Sequence, residues 1–449
     1  MNISKKHWGI VGGGMLGMYL AHKLSQAGHE VTLMEAANAP GGLTSTWKLD
    51  QYFWDKYYHV ILRSDTTLRN LLKEIGLEET INWVETKTGF YTGGKLYSMS
   101  NTMEFLRFPP LSILDKLRLG FTIFYASKIK NWKRLENIRV ADWLKKWSGS
   151  NTFEKIWLPL LRAKLGDNYQ HTSAAFIWTT IQRMYKARRT GLKKEMFGYV
   201  EGGYATILKR FKEQLIQQGV HVKTAHKVTC IYRDYYGNVM VETAKNQPDL
   251  FNEVIVTTPS SIAAEICKDL LRREVQQHQN IEYLGVICAS LLLKKSISPY
   301  YVTNVTDKSP FTGIIEMTNI VDPEFFGGNS LIYLPRYAKS SNPIFHWNDE
   351  QIKTLFLSSL LNMYPHLSEE DVVAFRVSRA PYVFALPTLK YSEKLPAVST
   401  SLPGVHILNS AHIVNGTLNV NETLQVVDKA LPELLKKAIN RKTEYETYA

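Results

Sequence analysis

Gly12-Gly13-Gly14-Met15-Leu16-Gly17 is a GxGxxG sequence, and an acid, Glu35, stands about 20 residues beyond Gly14. Gly12 permits a tight turn, Gly14 lets the backbone approach a diphosphate, and Gly17 allows a helix to lie close on a strand. The diphosphate would rest at the helix N-terminus, where free N–H groups and the dipole favour negative charge. Glu35 is placed to accept hydrogen bonds from a ribose hydroxyl pair and to disfavour a 2′-phosphate. Two other residues could move protons. His59, in Asp55-Lys-Tyr-Tyr-His59, could act as a base near neutral pH, or be an ordinary core or ligand-contacting histidine. Lys164 could line a substrate channel or be a structural surface lysine. Tyr300, Tyr301, Tyr333 and Tyr337 could wall an aromatic pocket, or simply pack on strands. The sequence has no metal-ligand cluster, Ser-His-Asp triad motif or P-loop.

These residues need elements to hold them. His7–Val11 reads as a short buried strand, and Leu16, Tyr19, Leu20, Leu24 and Ala27 then recur at helical spacing. Gly28 supplies the helix stop and Glu30–Met34 a second strand. Gly41-Gly42-Leu43-Thr44 follows shortly after Glu35. With these parts in order, the chain resembles the FAD-dependent amine oxidase, protoporphyrinogen oxidase and carotenoid desaturase superfamily. Leu43 stands where many members have Arg.

That resemblance implies an FAD site built from Gly12, Gly14, Met15, Leu16, Gly17, Glu35, Ala36, Gly41, Gly42, Leu43 and Thr44. It places Tyr58 and His59 near the flavin edge. Val228 would hold the adenine through its backbone, and Leu418, Asn419 and Val420 would contact the flavin from a helix N-terminus. The segment from Gly198 to Gly203 and the helix after it (Ile207, Leu208, Phe211, Leu215) look like the family's glycine-pair segment. The strand patterns at 228–231, 238–242, 253–259 and 404–408 return to the nucleotide domain.

The implied fold is α/β: a Rossmann-like FAD-binding domain of glutathione reductase type, interleaved with a mixed-sheet substrate domain carrying a helical insertion. FAD-binding segments are expected at 1–98, 198–268 and 399–441, the insertion at 99–197, the substrate sheet at 269–398 and a polar tail at 442–449.

Composition narrows the partners. The 449 residues carry 54 Lys plus Arg against 41 Asp plus Glu, a formal charge of +13. The excess is concentrated. Residues 105–135 hold seven cations (Arg107, Lys116, Arg118, Lys128, Lys130, Lys133, Arg134) against Asp115 alone, interleaved with Leu114, Leu117, Phe121, Phe124 and Trp132. Residues 182–195 add Arg183, Lys186, Arg188, Arg189, Lys193 and Lys194 against Glu195. Basic, aromatic-rich helices suit an anionic membrane surface, or form an ordinary solvated face. Nucleic acid is a poor fit, since no recognition motif accompanies the charge. Three scattered cysteines exclude a disulfide framework, and a cytoplasmic setting is expected.

The expectation is an FAD-dependent oxidoreductase, a dehydrogenase, desaturase or oxidase, acting on a largely apolar small molecule. Its electron acceptor would be oxygen or a quinone, because no second dinucleotide fingerprint follows a strand. Two rivals share the scaffold: a non-redox mutase of UDP-galactopyranose mutase type, and a non-enzymatic prenyl-binding protein.

Overall fold

Gly17 decides how the first helix meets the first strand. A Cβ there would lie 1.9 Å from the Gly12 carbonyl oxygen, so only glycine lets Met15–Gln26 cross so closely over His7–Val11. The computed structural model describes residues 5–188, 195–244 and 247–446. His7–Val11 is central in a five-stranded parallel sheet with the order His221–Lys223, Glu30–Met34, His7–Val11, Glu253–Val256, Val405–Ile407. Both faces of such a sheet are covered, which explains its continuous apolar strands. The strands come from three separated stretches of chain, and this is the Rossmann-like, interleaved nucleotide domain expected. The antiparallel strands Val228–Arg233, Val239–Thr243 and Asp249–Phe251 share a core with it through Val11, Met34 and Val256.

The second sheet is mixed and has seven strands. In order these are Val372–Ala385, Tyr283–Leu293, Ser330–Ala338, Gly313–Glu316, Val302–Val305, Thr88–Thr92 and Lys95–Ser98. The last two differ from the expected division at residue 98. Thr88–Thr92 pairs in parallel with Val302–Val305, so this hairpin belongs to the larger sheet. Helix Asp349–Met363 covers one face, packing Ile352, Phe356 and Leu360 on Ile287, Ala289 and Leu291. Strand alternation sends Val286, Cys288, Tyr333 and Tyr337 to the opposite face, where they meet Trp54, Tyr57 and Tyr58.

The insertion is helical: Thr102–Arg107, Ile113–Lys128, Val140–Ser148, Leu158–Leu165 and Ala174–Arg188 surround Phe108, Leu119, Trp143 and Trp178. A capping box between Ser112 and Asp115 starts the Ile113–Lys128 helix. That helix buries Leu119, Thr122 and Ala126, and leaves Ile113, Leu114, Leu117, Phe121 and Phe124 more than half exposed. Two expected members of this basic, aromatic stripe lie elsewhere. Lys116 is buried and its Nζ donates to the Leu106 carbonyl at 2.7 Å, and Trp132 packs on the insertion core. Arg189, Lys193 and Lys194 lie outside the described residues. No described helix is long and apolar enough to cross a membrane.

Candidate functional site

The two glycine motifs meet at the head of the parallel sheet. Gly41 N–H donates to the Gly13 carbonyl at 2.8 Å, and a Cβ on Gly42 would lie 3.1 Å from the Gly14 Cα. Gly12, Gly41 and Gly42 have φ values of 110°, 144° and 55°, a region that favours glycine. Gly14, Gly41 and Gly42 thus make a strip of bare backbone beside the start of Met15–Gln26. Its N-cap, Gly14, supplies no side-chain cap, so no capping side chain accepts from the first-turn N–H groups, those of Met15 and Leu16 among them. Thr44 is buried with its Oγ1 donating to the Gly41 carbonyl at 2.8 Å, while Leu43 lies part-exposed beside it.

Glu35 closes the far side. One carboxylate oxygen accepts from Gly13 N–H at 2.7 Å and the other from Ala37 N–H at 2.8 Å. Each oxygen retains a lone pair for a hydroxyl donor. Ala36 is exposed next to it. The loop before Val228 is tied to this corner, with His226 N–H donating to the Glu35 carbonyl and Ala225 N–H to that of Ala37. Val228 itself is buried. Bare backbone, an uncapped helix start and a doubly anchored acid fit a dinucleotide.

The C-terminal helix Val420–Glu446 begins close to the first helix. Val420 and Leu424 pack with Leu16 and Tyr19, whose hydroxyl donates to Asp428 at 3.0 Å. Asn419 caps the helix, its Oδ1 accepting from Glu422 N–H, and Leu418 precedes it. The expected residues of the first helix and the last therefore gather in one region.

Tyr58 and His59 lie between the two sheets. His59 borders a cleft with Asp55, Val60, Tyr204 and Met317. Its Nδ1 is 3.7 Å from the Asp55 carboxylate, an ion-pair distance longer than a hydrogen bond. Asp55 is fully inside, and burial pushes its carboxyl above the usual range although His59 and the Tyr204 N–H oppose the shift. Asp55 was not among the sequence candidates. Only a partner as distant in sequence as Tyr204 reveals that its carboxylate is a buried anchor.

Lys164 is the other candidate, and it lies against an aromatic wall. It occupies the last turn of Leu158–Leu165 with its ammonium 3.4 Å above the Tyr337 ring centroid and 5.4 Å from that of Phe384. The Tyr337 hydroxyl is 2.9 Å from that of Tyr58, and Tyr333 donates to the Asp55 carbonyl at 2.6 Å. Burial alone lowers the Lys164 pKa to about 7, with no neighbouring charge contributing. Burial also holds Tyr58 at about 12, so its phenol stays protonated near neutrality. Lys164, Tyr58, Tyr337 and Phe384 nevertheless keep some accessible area. Together they form a part-exposed aromatic wall that carries one lysine. Of the other tyrosines, Tyr333 is fully buried beside Tyr58, Tyr301 is buried against Phe197, and Tyr300 packs near Gly89.

A parallel sheet headed by a glycine-rich turn, interleaved with a mixed sheet that carries an aromatic wall, defines a two-domain fold with a Rossmann-like domain and a substrate domain. The profile of flavin containing amine oxidoreductases matches residues 17–420, and the chain belongs to that family. It is 27% identical over 243 residues to zeta-carotene desaturase of Synechocystis, covering 49% of each chain. It is 23% identical over 292 residues to coproporphyrinogen III oxidase of Staphylococcus aureus, covering 56% of this chain and 60% of that one. The chain thus spans about half to three-fifths of the length of these relatives. An Exiguobacterium sp. 255-15 structure assigned as a protoporphyrinogen oxidase superposes with a TM-score of 0.75 at 16% identity, over 97% of this chain and 100% of the other. At that identity the likeness establishes the fold.

Proposed function

We propose that this protein is an FAD-dependent oxidoreductase that oxidises a largely apolar small molecule, passing the electrons to oxygen or a quinone. The observation that carries the reading is the junction of Gly14, Gly41 and Gly42 with the uncapped helix start and Glu35, in a chain of the flavin-containing family. FAD bound there would supply two-electron acceptor chemistry. The chain's own task is to bind, orient and keep water out. Glu35 would accept the ribose hydroxyls, the first-turn N–H groups would take the diphosphate, and the backbone before and at Val228 would hold the adenine. Tyr58 and His59 would serve the flavin edge, and Leu418, Asn419 and Val420 would contact the flavin from the C-terminal helix. His59 is the candidate base on the side of Asp55, and Lys164 the candidate on the aromatic wall, which we take as one side of a substrate chamber.

The aromatic chamber with one cation favours this reading over the mutase rival. A sugar nucleotide brings two phosphate charges, and one lysine on an apolar wall is a poor match for them. The intact glycine strip argues against the non-enzymatic prenyl-binding rival. The exposed apolar stripe of Ile113–Lys128, flanked by Arg118 and Lys128, supports a peripheral contact with an anionic membrane.

The test is colour and its dependence on Glu35. Purified protein should absorb near about 450 nm as a flavoprotein does, and E35Q should weaken FAD affinity roughly tenfold or more, about the worth of one charge-assisted hydrogen bond. Colourless protein that FAD cannot reconstitute would end the proposal. Anaerobic reduction followed by reoxidation with oxygen or with a quinone identifies the acceptor by the faster reaction.

A further inference from the structure

An ammonium deep in a protein is normally paired with a carboxylate, because an unpaired one costs several kcal/mol in lost hydration. Lys164 has no such partner among the described residues. Its neighbours are the faces of Tyr337 and Phe384. The aromatic quadrupoles offset part of the cost, yet a Met of similar volume would fill the place with no charge to bury. A lysine kept there makes sense when something else brings the anion.

Three features define that anion. One cation at the wall calls for one negative charge, a carboxylate rather than a phosphate dianion. The Tyr58 and Tyr337 hydroxyls share a single hydrogen bond of 2.9 Å between them, so one of their two protons is left to donate to a carboxylate oxygen. The helix bearing Lys164 also packs, through Leu161 and Leu165, in the same core as Leu119 and Ala126, from the inner face of the helix with the exposed apolar stripe. A molecule gathered on that stripe would be lipid-soluble.

We propose that the chamber binds an apolar monocarboxylate, the Lys164 ammonium pairing with its carboxylate and the Tyr337–Phe384 wall holding the adjoining carbons. This deepens the proposed function and rests on reading the chamber as the substrate site.

Decanoate and decanol share a chain and differ in the head, so their affinities for the full-length protein, read by titration calorimetry, isolate the charge. Decanoate should bind at least about tenfold tighter than decanol at about pH 6, and the ratio should fall towards unity by about pH 9 as Lys164 loses its proton. K164M should abolish the ratio with decanol affinity kept, and K164R should restore it. Equal affinities at the lower pH, a ratio that grows with pH, or a K164M protein that retains the preference would each overturn the proposal. Should K164M not fold, the pH series on the unaltered chain decides alone. Flavin absorbance of the same sample separates the two readings. Colourless protein with the decanoate preference sinks only the flavin assignment, and yellow protein without it sinks only the carboxylate.

Discussion

Glu35 and Lys164 are the two charged residues on which the proposals turn, but the sequence marks only Glu35 by a fixed spacing. Glu35 stands at a fixed interval from a glycine motif, and the interval reflects one local unit of strand, helix and strand. Lys164 depends on Tyr337 and Phe384, roughly two hundred residues away, and nothing near it in sequence records that burial. The same difference applies to Asp55, whose carboxylate is anchored by the N–H of Tyr204, 149 residues further along the chain. Burial of Lys164 also has a measurable consequence for stability. Its pKa falls from 10.5 in the open chain to about 7 in the fold. Between those values the unfolded chain holds more protons, so stability rises with pH, by about 1.4 kcal/mol per unit. Below about 7 both states are protonated and the full cost of burying the charge remains. K164M escapes that cost. Its advantage in urea denaturation should be about 2–4 kcal/mol near pH 6 and shrink towards pH 10. An advantage that does not change with pH would mean that Lys164 is solvated.

At the scale of elements, period and punctuation carried most of the assignment. The Met15–Gln26 and Gly203–Gln217 helices, the Gly93-Gly94 turn and the long strand Tyr283–Leu293 all follow from local patterns. The orientation of the insertion helices does not. Ile113–Lys128 is apolar on more than one face, and contact with Trp143 and Trp178 in the insertion core selects Leu119, Thr122 and Ala126 as the inner side. The stripe left outside resembles an interfacial membrane helix, polar and basic at its margins. L114E/L117E places two charges on that stripe at side chains that are 66% and 64% exposed. Sedimentation with phosphatidylserine vesicles at low salt should show binding reduced at least about tenfold, since each apolar side chain is worth about 1.5–3 kcal/mol of burial. Thermal unfolding should stay within about 1 °C of the unaltered chain, as exposed substitutions usually cost less than about 0.5 kcal/mol. Binding that is unchanged by the double substitution would assign the stripe to some other contact.

The whole molecule joins segments far apart in the chain around one proposed ligand. The sheet that heads the nucleotide site draws strands from near residues 10, 30, 220, 255 and 405, and the C-terminal helix closes on the first. Family resemblance made that interleaving legible, because its blocks recur in order. The exact division was not, since the hairpin at Thr88–Ser98 is claimed by long-range parallel pairing with Val302–Val305. A ligand that touches the Gly12–Gly17 turn, Gly41-Gly42, the Val228 region and the Val420 helix start would tie all three nucleotide-domain stretches together. It would bind only the folded chain, so it should stabilise by mass action, by about 4 kcal/mol at a thousandfold excess over Kd. For a chain of this length the unfolding entropy is close to 1 kcal/mol per degree, which converts the gain into a Tm rise of about 4 °C. Differential scanning calorimetry of protein stripped of flavin, with and without added FAD, measures it directly. G17A provides the matched control: its Cβ meets the Gly12 carbonyl oxygen, so the crossing of helix and strand is disturbed and the rise with FAD should vanish. A G17A protein that still gains the full 4 °C or so would place the ligand away from the glycine turn.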